Sequence, residues 1–342
     1  MSRAGLNVAI VGATGMVGAA TLAILEERKF PIANLFLLAS QRSVGDIRDF
    51  NGKPYFIENI ANFDFSQTQI CFFCAGNDVS AEYAPKAAAL GNIVIDKSSC
   101  FRYDPDVPLV VPEVNPDALK QYKIKNIIAS PNCNTIPLVM AIKPIYDAVG
   151  ISRINIATYQ AVSGTGKDAV TELVEQTSHC LNGQPIKAKV YPQQIAFNVL
   201  PHIDDFLENG YTKEEMKIVW ETQKIFGDKS IAINPTAVRV PVFYGHSAAV
   251  HIETKQKITA QQAIELLKLA PGVKLNLGKL PYSTPVQDAA GEDAVYVGRI
   301  REDISFGNGL DMWVVADNVR KGAALNAIQI AEKLIDMGVF SE

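Results

Sequence analysis

Histidine is scarce in this chain: four in 342 residues, at positions 179, 202, 246 and 251. No two are spaced as H-x-x-x-H, so no metal site is read from them. Cysteine is scarce too, and its count of five is odd. That argues against a disulfide framework and for reduced thiols. Cys71 and Cys74 form a C-x-x-C inside an apolar strand, where residues i and i+3 face opposite ways, so they read as structural. No apolar run approaches the ~20 residues of a membrane span. Positive charge is not in excess either. A net charge of −4 argues against a nucleic-acid binder that relies on phosphate contacts. The first residues, Met1 to Gly5, lead straight to a strand with no signal-peptide core, so a cytoplasmic protein is expected. Repeats and low-complexity runs are missing. What remains, 48% hydrophobic and 20% charged residues, is the composition of a soluble globular protein. Its length suggests two domains, because single cores stop growing near ~250–300 residues.

The first half alternates strand and helix. Asn7 to Val11 reads as a strand and Ala19 to Lys29 as a helix, with Gly12-Ala-Thr-Gly-Met-Val-Gly18 between them. Strand, glycine-rich turn, helix is the setting in which a backbone can approach a pyrophosphate and a helix N-terminus can bind it. The second strand, Leu35 to Ala39, ends in Ser40-Gln41-Arg42-Ser43. No carboxylate there would repel a 2′-phosphate, and Arg42 would pair with one beside the hydroxyls of Ser40 and Ser43. This predicts NADP rather than NAD. Further pieces at Ile70–Ala75 (strand), Ser80–Leu90 (helix) and Asn92–Asp96 (strand) argue for a doubly wound parallel sheet. The polar loop that follows places Ser98 and Arg102 at a strand's C-terminal end, as candidates for an anion site.

Ser130-Pro-Asn-Cys-Asn-Thr135 is the pivot of the chain. A strand, Lys125 to Ala129, runs into it and stops at Pro131, and an apolar helix, Ile136 to Ile145, leaves it. Cys133 therefore sits at a strand-to-helix corner, where the helix N-terminus favours thiolate and can stabilise an oxyanion. Beyond it the pattern changes. Strands are expected at Ile154–Ala161, Ala237–Val242 and Ala248–Thr254, and helices at 167–181, 212–226, 259–269 and 323–337. Thr212 to Glu215 reads as a capping box and Thr259 as an N-cap. Fewer crossover helices suggest a second, α+β domain on an antiparallel or mixed sheet.

Six motifs occur in order: the Gly12–Gly18 turn, Ser130–Thr135, Tyr159-Gln-Ala-Val-Ser-Gly164, Trp220-Glu-Thr-Gln-Lys224, Arg239-Val-Pro-Val-Phe-Tyr-Gly-His246 and Trp313-Val-Val-Ala-Asp-Asn318. Together they resemble the aspartate-semialdehyde dehydrogenase family over almost the whole chain. The resemblance implies a Rossmann-type NADP-binding domain over residues 1–132, rejoined by 318–342, and a catalytic and dimerisation domain over 133–317. It implies NADPH-dependent reductive dephosphorylation of L-aspartyl-4-phosphate to L-aspartate-4-semialdehyde, in the lysine, methionine and threonine branch of amino-acid biosynthesis. Cys133 would be the nucleophile that forms an acyl-thioester, His246 the general acid/base, and Gln160 the group orienting substrate at the thiol. Arg239 would grip the substrate carboxylate and Glu221 would face its amino group, with Arg102 and Lys224 binding phosphate. Gly12, Thr14, Gly15, Met16, Val17, Arg42, Ser43, Ser163, Gly164 and Asn318 would touch the cofactor. The partners implied are the small-molecule substrates, inorganic phosphate and a second copy of the chain, with no nucleic acid and no membrane. Two positions depart from the pattern: Asn134 stands for a serine and Lys97 for an asparagine.

The residues themselves support this chemistry. A thiolate adds to a carbonyl carbon and splits one hard step into two. A histidine suits the proton movements. Arg239, expected on the strand that leads to His246, is costly among valines unless a carboxylate pairs with it. Three alternatives stay open here: a related acyl-phosphate reductase such as N-acetyl-glutamyl-phosphate reductase, a Cys/His acyltransferase, and a non-catalytic NADP-binding protein.

Overall fold

The computed structural model describes residues 5–340. The chain divides into two compact units, Met1–Asn132 with Ala323–Glu342, and Cys133–Gly322. The second unit keeps residues 318–322, which the sequence reading assigns to the first.

The first unit holds β1 (Leu6–Val11), α1 (Met16–Glu27), β2 (Ile32–Ala39), β3 (Ile47–Phe50), β4 (Lys53–Asn59), β5 (Ile70–Phe73), α2 (Asn77–Ala89), β6 (Ile93–Asp96) and β7 (Ile127–Ala129). The seven strands run in the order β3-β4-β2-β1-β5-β6-β7. All neighbours are parallel except the β3–β4 hairpin. β1 lies between β2 and β5, so the order of connection reverses there, and the crevice at its C-terminal end is where such sheets bind ligands. Strands covered on both faces read as unbroken apolar runs: every residue of β5 and β6 is buried. The C-terminal helix, Leu325–Asp336, returns to this unit because Leu325, Ile328, Ala331 and Leu334 belong to its core with Ile10, Ile24 and Phe72.

Helix α1 starts three residues before the expected Ala19. Glycines 15 and 18 masked its first turn in the sequence. At Gly18 a Cβ would lie 2.2 Å from the Gly12 carbonyl oxygen, so close packing of turn on helix requires glycine there. The hairpin β3–β4 was not read, because its strands are half exposed and lack an apolar alternation.

The second unit holds α3 (Thr135–Val149), β8 (Ile151–Gln160), α4 (Lys167–Leu181), α5 (Lys213–Phe226), β9 (Ala232–Arg239), β10 (His246–Thr254), α6 (Ala260–Lys268), β11 (Val273–Asn276), β12 (Val295–Glu302) and β13 (Gly309–Ala316). Its six-stranded sheet runs β11-β12-β13-β10-β8-β9. The sheet is mixed: β8 pairs with β9 in parallel, and β10 pairs antiparallel with both β8 and β13. Helix α3 packs on β10, β12 and β13 and beside α5 and α6. Helix α5 opens with the expected capping box: Thr212 Oγ1 accepts from the Glu215 amide, and Glu215 Oε2 accepts from the Thr212 amide. Such a cap contributes about 1 kcal/mol.

The strand expected at Ala237–Val242 is displaced. β9 runs from Ala232 to Arg239 and stops before Pro241, so Arg239 and His246 do not share a strand. Pro235 lies inside β9, which is an edge strand, where a missing N–H is tolerated. Strands β11 to β13 were also missed. A shift in the β12–β13 register between Gly298 and Arg301 breaks the alternation that would have marked them.

Candidate active site

In the second unit the sheet register assembles most of the site. Ile154, Ile156, Thr158 and Gln160 alternate on the buried face of β8. Gln160, its last residue, is opposite Arg239, the last residue of β9. In the antiparallel ladder Ser247 is opposite Tyr159, which brings His246, the first residue of β10, to the same end of the sheet. On its other side His246 is opposite Ala316, so the Asp317-Asn318 corner arrives there too. Asn318 Oδ1 accepts from the Gly245 amide at 2.9 Å, and its Nδ2 donates to Ser163 Oγ at 3.0 Å.

Cys133 lies two residues before α3 and is partly exposed. The thiol is tied into the site through its neighbour. Asn134 Nδ2 donates to Glu214 Oε1 at 3.1 Å and towards Cys133 Sγ at 3.7 Å. A serine has one proton to donate and could not serve both, which gives the departure at 134 a physical role. Gln160 Nε2 donates to Thr158 Oγ1 at 3.1 Å and to Glu214 Oε1 at 3.4 Å. Lys217 Nζ donates to Glu214 Oε2 at 3.1 Å and to Asp204 Oδ2 at 2.7 Å. Burial pulls the Lys217 ammonium down, but Glu214 and Asp204 outweigh it and hold its pKa above the usual value.

Glu214 and Lys217 were missed in the sequence, which pointed instead to Glu221 and Lys224, each two turns further along α5. Glu221 is fully buried on the helix face that also carries Ile218 and Ile225. The signal available was an acid at a core-facing position in the first turn, with a lysine at i+3.

Arg239 is 4% exposed. Its Nη1 donates to the Ala161 carbonyl at 2.7 Å, its Nε is buried without a partner, and the guanidinium stands 5.9 Å from the centre of the Tyr191 ring. Among the described residues it has no ion pair, so the internal salt bridge that a buried arginine usually needs is missing. Tyr191 also bonds Thr165 through its hydroxyl, and Glu172 accepts from the backbone amides of residues 189 to 191. This prop under Arg239 was not read from the sequence.

His246 is buried, and its Nδ1 accepts from the Ala161 amide at 3.0 Å, while Nε2 has no partner. Burial and the nearby Arg239 hold its pKa well below 6.5, against a smaller opposing effect of the Gly245 backbone. Gly164 is seated against both side chains. A Cβ there would lie 3.0 Å from Arg239 Nη1 and 3.3 Å from His246 Cε1 and Nε2.

The other expected site residues lie in the first unit. Gly12 has φ +81°, and its amide and that of Ala13 donate to the Leu38 carbonyl, pinning the turn to β2. Gly15 caps α1, and Met16 and Val17 open it, so the first-turn amides have no helical acceptor. This glycine cradle with its free amide donors fits a dinucleotide pyrophosphate. Arg42 is exposed on the 3-10 turn Gln41–Ser43 that follows β2, with Ser40 at its start. Ser98 Oγ donates to Asp96 Oδ2 at 2.6 Å, and Arg102, buried, donates from Nη2 to the Lys97 carbonyl at 2.7 Å. Lys97 Nζ donates to the Ala323 carbonyl at 2.6 Å and to Ser130 Oγ at 3.1 Å. The second departure thus ties the returning segment to the sheet of its own unit.

Burial pushes the Cys71 thiol up to about 12 and that of Cys74 to about 11, which makes both poor nucleophiles. Among the described residues no cluster of three or more His, Cys, Asp or Glu could hold a metal ion, and no helix is long and apolar enough to cross a membrane.

Comparison with known proteins places this geometry. Residues 7–122 match the family model of the semialdehyde dehydrogenase NAD binding domain, and residues 142–321 match that of the semialdehyde dehydrogenase dimerisation domain. The chain is 61% identical to the aspartate-semialdehyde dehydrogenase of Shewanella violacea, over 96% of this chain and 97% of that one. It is 60% identical to that of Legionella pneumophila, over 96% and 95% respectively. Among solved structures, aspartate semialdehyde dehydrogenase II from Vibrio cholerae complexed with ASA is similar with a TM-score of 0.96 and 56% identity, covering 98% of this chain and 99% of that one.

Proposed function

The chain belongs to the aspartate-semialdehyde dehydrogenase family, and from that membership we propose that it reduces L-aspartyl-4-phosphate to L-aspartate-4-semialdehyde, with release of phosphate, for amino-acid biosynthesis. The observation that carries the reading is the unbroken set of contacts from Cys133 through Asn134 and Glu214 to Gln160, which the register sets beside Arg239. Cys133 attacks the acyl carbon and holds the aspartyl group as a thioester, so that one carbon can exchange first phosphate and then hydride. Arg239, which has no ion pair of its own, takes the substrate's α-carboxylate in a forked contact. Glu214, rather than Glu221, faces the ammonium group, because it is the acid hydrogen-bonded to Gln160 and to the neighbour of the thiol. Lys217, rather than Lys224, is the lysine beside it. Arg102 and Ser98, at the C-terminal end of β6, are assigned to the phosphate.

A nicotinamide cofactor in the Gly12–Gly18 turn supplies the hydride when bound. The turn and Ser163, Gly164 and Asn318 would hold it. Arg42, Ser40 and Ser43 select NADP over NAD, because the turn after β2 offers a guanidinium and no carboxylate. The second copy of the chain joins through the unit that matches the dimerisation domain, giving a homodimer. The test is loss of NADPH absorbance on adding aspartyl phosphate, with N-acetyl-glutamyl phosphate as comparator. Rapid oxidation with the aspartyl substrate alone is expected. No oxidation, or preference for the acetylated substrate, would overturn the reading.

A further inference from the structure

Arg239 is a buried cation held in place without an anion. Among the described residues only its Nη1 has a hydrogen-bond acceptor, the Ala161 carbonyl, and its Nε is buried with none. One hydrogen bond leaves a guanidinium free to turn about it. What faces the group is the Tyr191 ring, whose centre is 5.9 Å from Cζ. The negative face of an aromatic ring attracts a cation, most strongly where water is excluded. It does so without neutralising the charge, and it supplies no carboxylate oxygen for an incoming carboxylate to displace. An internal acid would hold the arginine as firmly but would compete with the ligand.

The ring is fixed from three sides. Its hydroxyl and Thr165 Oγ1 share a hydrogen bond at 3.0 Å. Its body packs with Val162, Ala169, Leu173 and Ile195 in a core cluster of this unit. Its backbone is held by Glu172, a buried acid of α4: Oε2 accepts from the Lys189 amide at 2.9 Å and also from that of Val190, and Oε1 accepts from the Tyr191 amide at 3.5 Å. Gln176, one turn further along α4, accepts from the amides of Ile195 and Ala196 at 2.9 and 3.2 Å. These bonds give form to a stretch that has no helix or strand of its own between Leu181 and Lys213. Such a stretch inside a compact unit is usually functional. It also returns to the arginine: Leu200 and Arg239 exchange both backbone hydrogen bonds, at 2.9 and 2.8 Å. One segment thus grips Arg239 at its backbone and backs its guanidinium.

Resting on the assignment of Arg239 to the substrate's α-carboxylate, we propose that Tyr191 is a positioning and specificity residue: its ring face holds the Arg239 guanidinium charged and aimed before substrate arrives, so that the site selects acyl substrates carrying an α-carboxylate. Glu172 and Thr165 act through the ring. The ring touches no reacting atom, so its contribution is to binding. Its loss raises KM for the carboxylate-bearing substrate and leaves kcat little changed.

The test replaces Tyr191 by phenylalanine and by its mono-, di- and trifluorinated forms, incorporated at that position in the full chain. Fluorine draws charge from the ring face and changes its size little, so a role in packing alone would not follow the series. With aspartyl phosphate, kcat/KM should fall at each step, by roughly 3- to 10-fold over the series, mainly through KM. With β-alanyl phosphate, which is the same substrate without its α-carboxylate, the series should be flat. Tyr191→Leu, which removes the ring, should cost about 10- to 30-fold with the first substrate only. A flat series with aspartyl phosphate, or equal losses with both substrates, would overturn the proposal. A second readout needs no substrate. The Arg239 Nε–H signal in ¹⁵N NMR, assigned by its loss in Arg239→Lys, should exchange with water progressively faster along the same series. An unchanging exchange rate would also overturn the proposal. Should wild type turn over neither substrate, the substrate reading fails, and the exchange rates still decide whether the ring holds the guanidinium.

Discussion

The Gly12–Gly18 turn and the polar cluster around Cys133 are built in opposite ways. The turn is seven consecutive residues whose shape follows from local backbone demands: a positive φ at Gly12 and a carbonyl pressed against Gly18. The cluster draws Cys133, Gln160, Glu214, Arg239 and His246 from five separate stretches, and each is placed by a different long-range contact. The turn presents backbone donors, which any sequence with the right glycines can offer. The cluster presents side chains held by long-range partners, and two of them, Arg239 and His246, keep a buried nitrogen without one. Binding a common cofactor needs only the first kind of site. Handling one substrate's carboxylate, ammonium and acyl carbon needs the second.

Damage to the cluster should therefore cost chemistry, and damage to the turn's surroundings should cost affinity. The largest effect belongs to the nucleophile. Cys133→Ser should fold and bind NADP but lose turnover on the order of 10⁴–10⁶-fold, measured as kcat. In wild type, aspartyl phosphate without cofactor should leave an aspartyl adduct on the Cys133 peptide, seen by rapid-quench mass spectrometry. An active serine variant would break the comparison at once.

Next comes the choice between two acids on one helix. Glu214→Gln should lower kcat/KM by roughly 10- to 100-fold, the worth of a charged hydrogen bond of 1.5–3 kcal/mol. Glu221→Gln, if it folds, should change KM for the aspartyl substrate much less. The reverse pattern would restore Glu221 to the substrate.

Gly164→Ala sharpens the cluster further. Its new carbon meets Arg239 Nη1 at 3.0 Å, so kcat/KM should fall by about tenfold or more, with unfolding temperature little changed. Unaltered kinetics would mean that this edge of the site has slack.

On the turn side, Arg42→Ala should weaken NADP binding by roughly 1–3 kcal/mol and leave NAD binding almost untouched. Calorimetry with both cofactors decides it, and equal losses would remove Arg42 from the 2′-phosphate.

The smallest effect is on stability. The folded chain holds the His246 pKa well below 6.5, so below that pH the unfolded chain binds more protons than the folded one. Stability should therefore fall as the pH drops through 6.5, by at most about 1.4 kcal/mol per unit from this residue. Urea unfolding at several pH values should show a shallower loss in His246→Gln.

The sequence alone determined what depends on a few neighbouring residues. The glycine turn, the strand-to-helix corner at Cys133, the box at Thr212–Glu215 and the apolar runs of β5 and β6 all rest on local dihedral preferences or on burial of a whole strand. Helix α4 was legible to its ends because its apolar period and its Gly166 boundary agree. Tertiary structure decided the rest. Arg239 and His246 looked like one strand because the loop between them is rich in valine, and only the edge position of β9, with Pro235 tolerated, shows where the strand lies. Glu214 and Glu221 sit two turns apart on one face of α5, so helical period cannot tell them apart; the sheet packed against that face does. Nor can any string of letters set the Ala161 amide against His246 Nδ1, because that contact joins residues eighty-five apart in the chain and 3.0 Å apart in space.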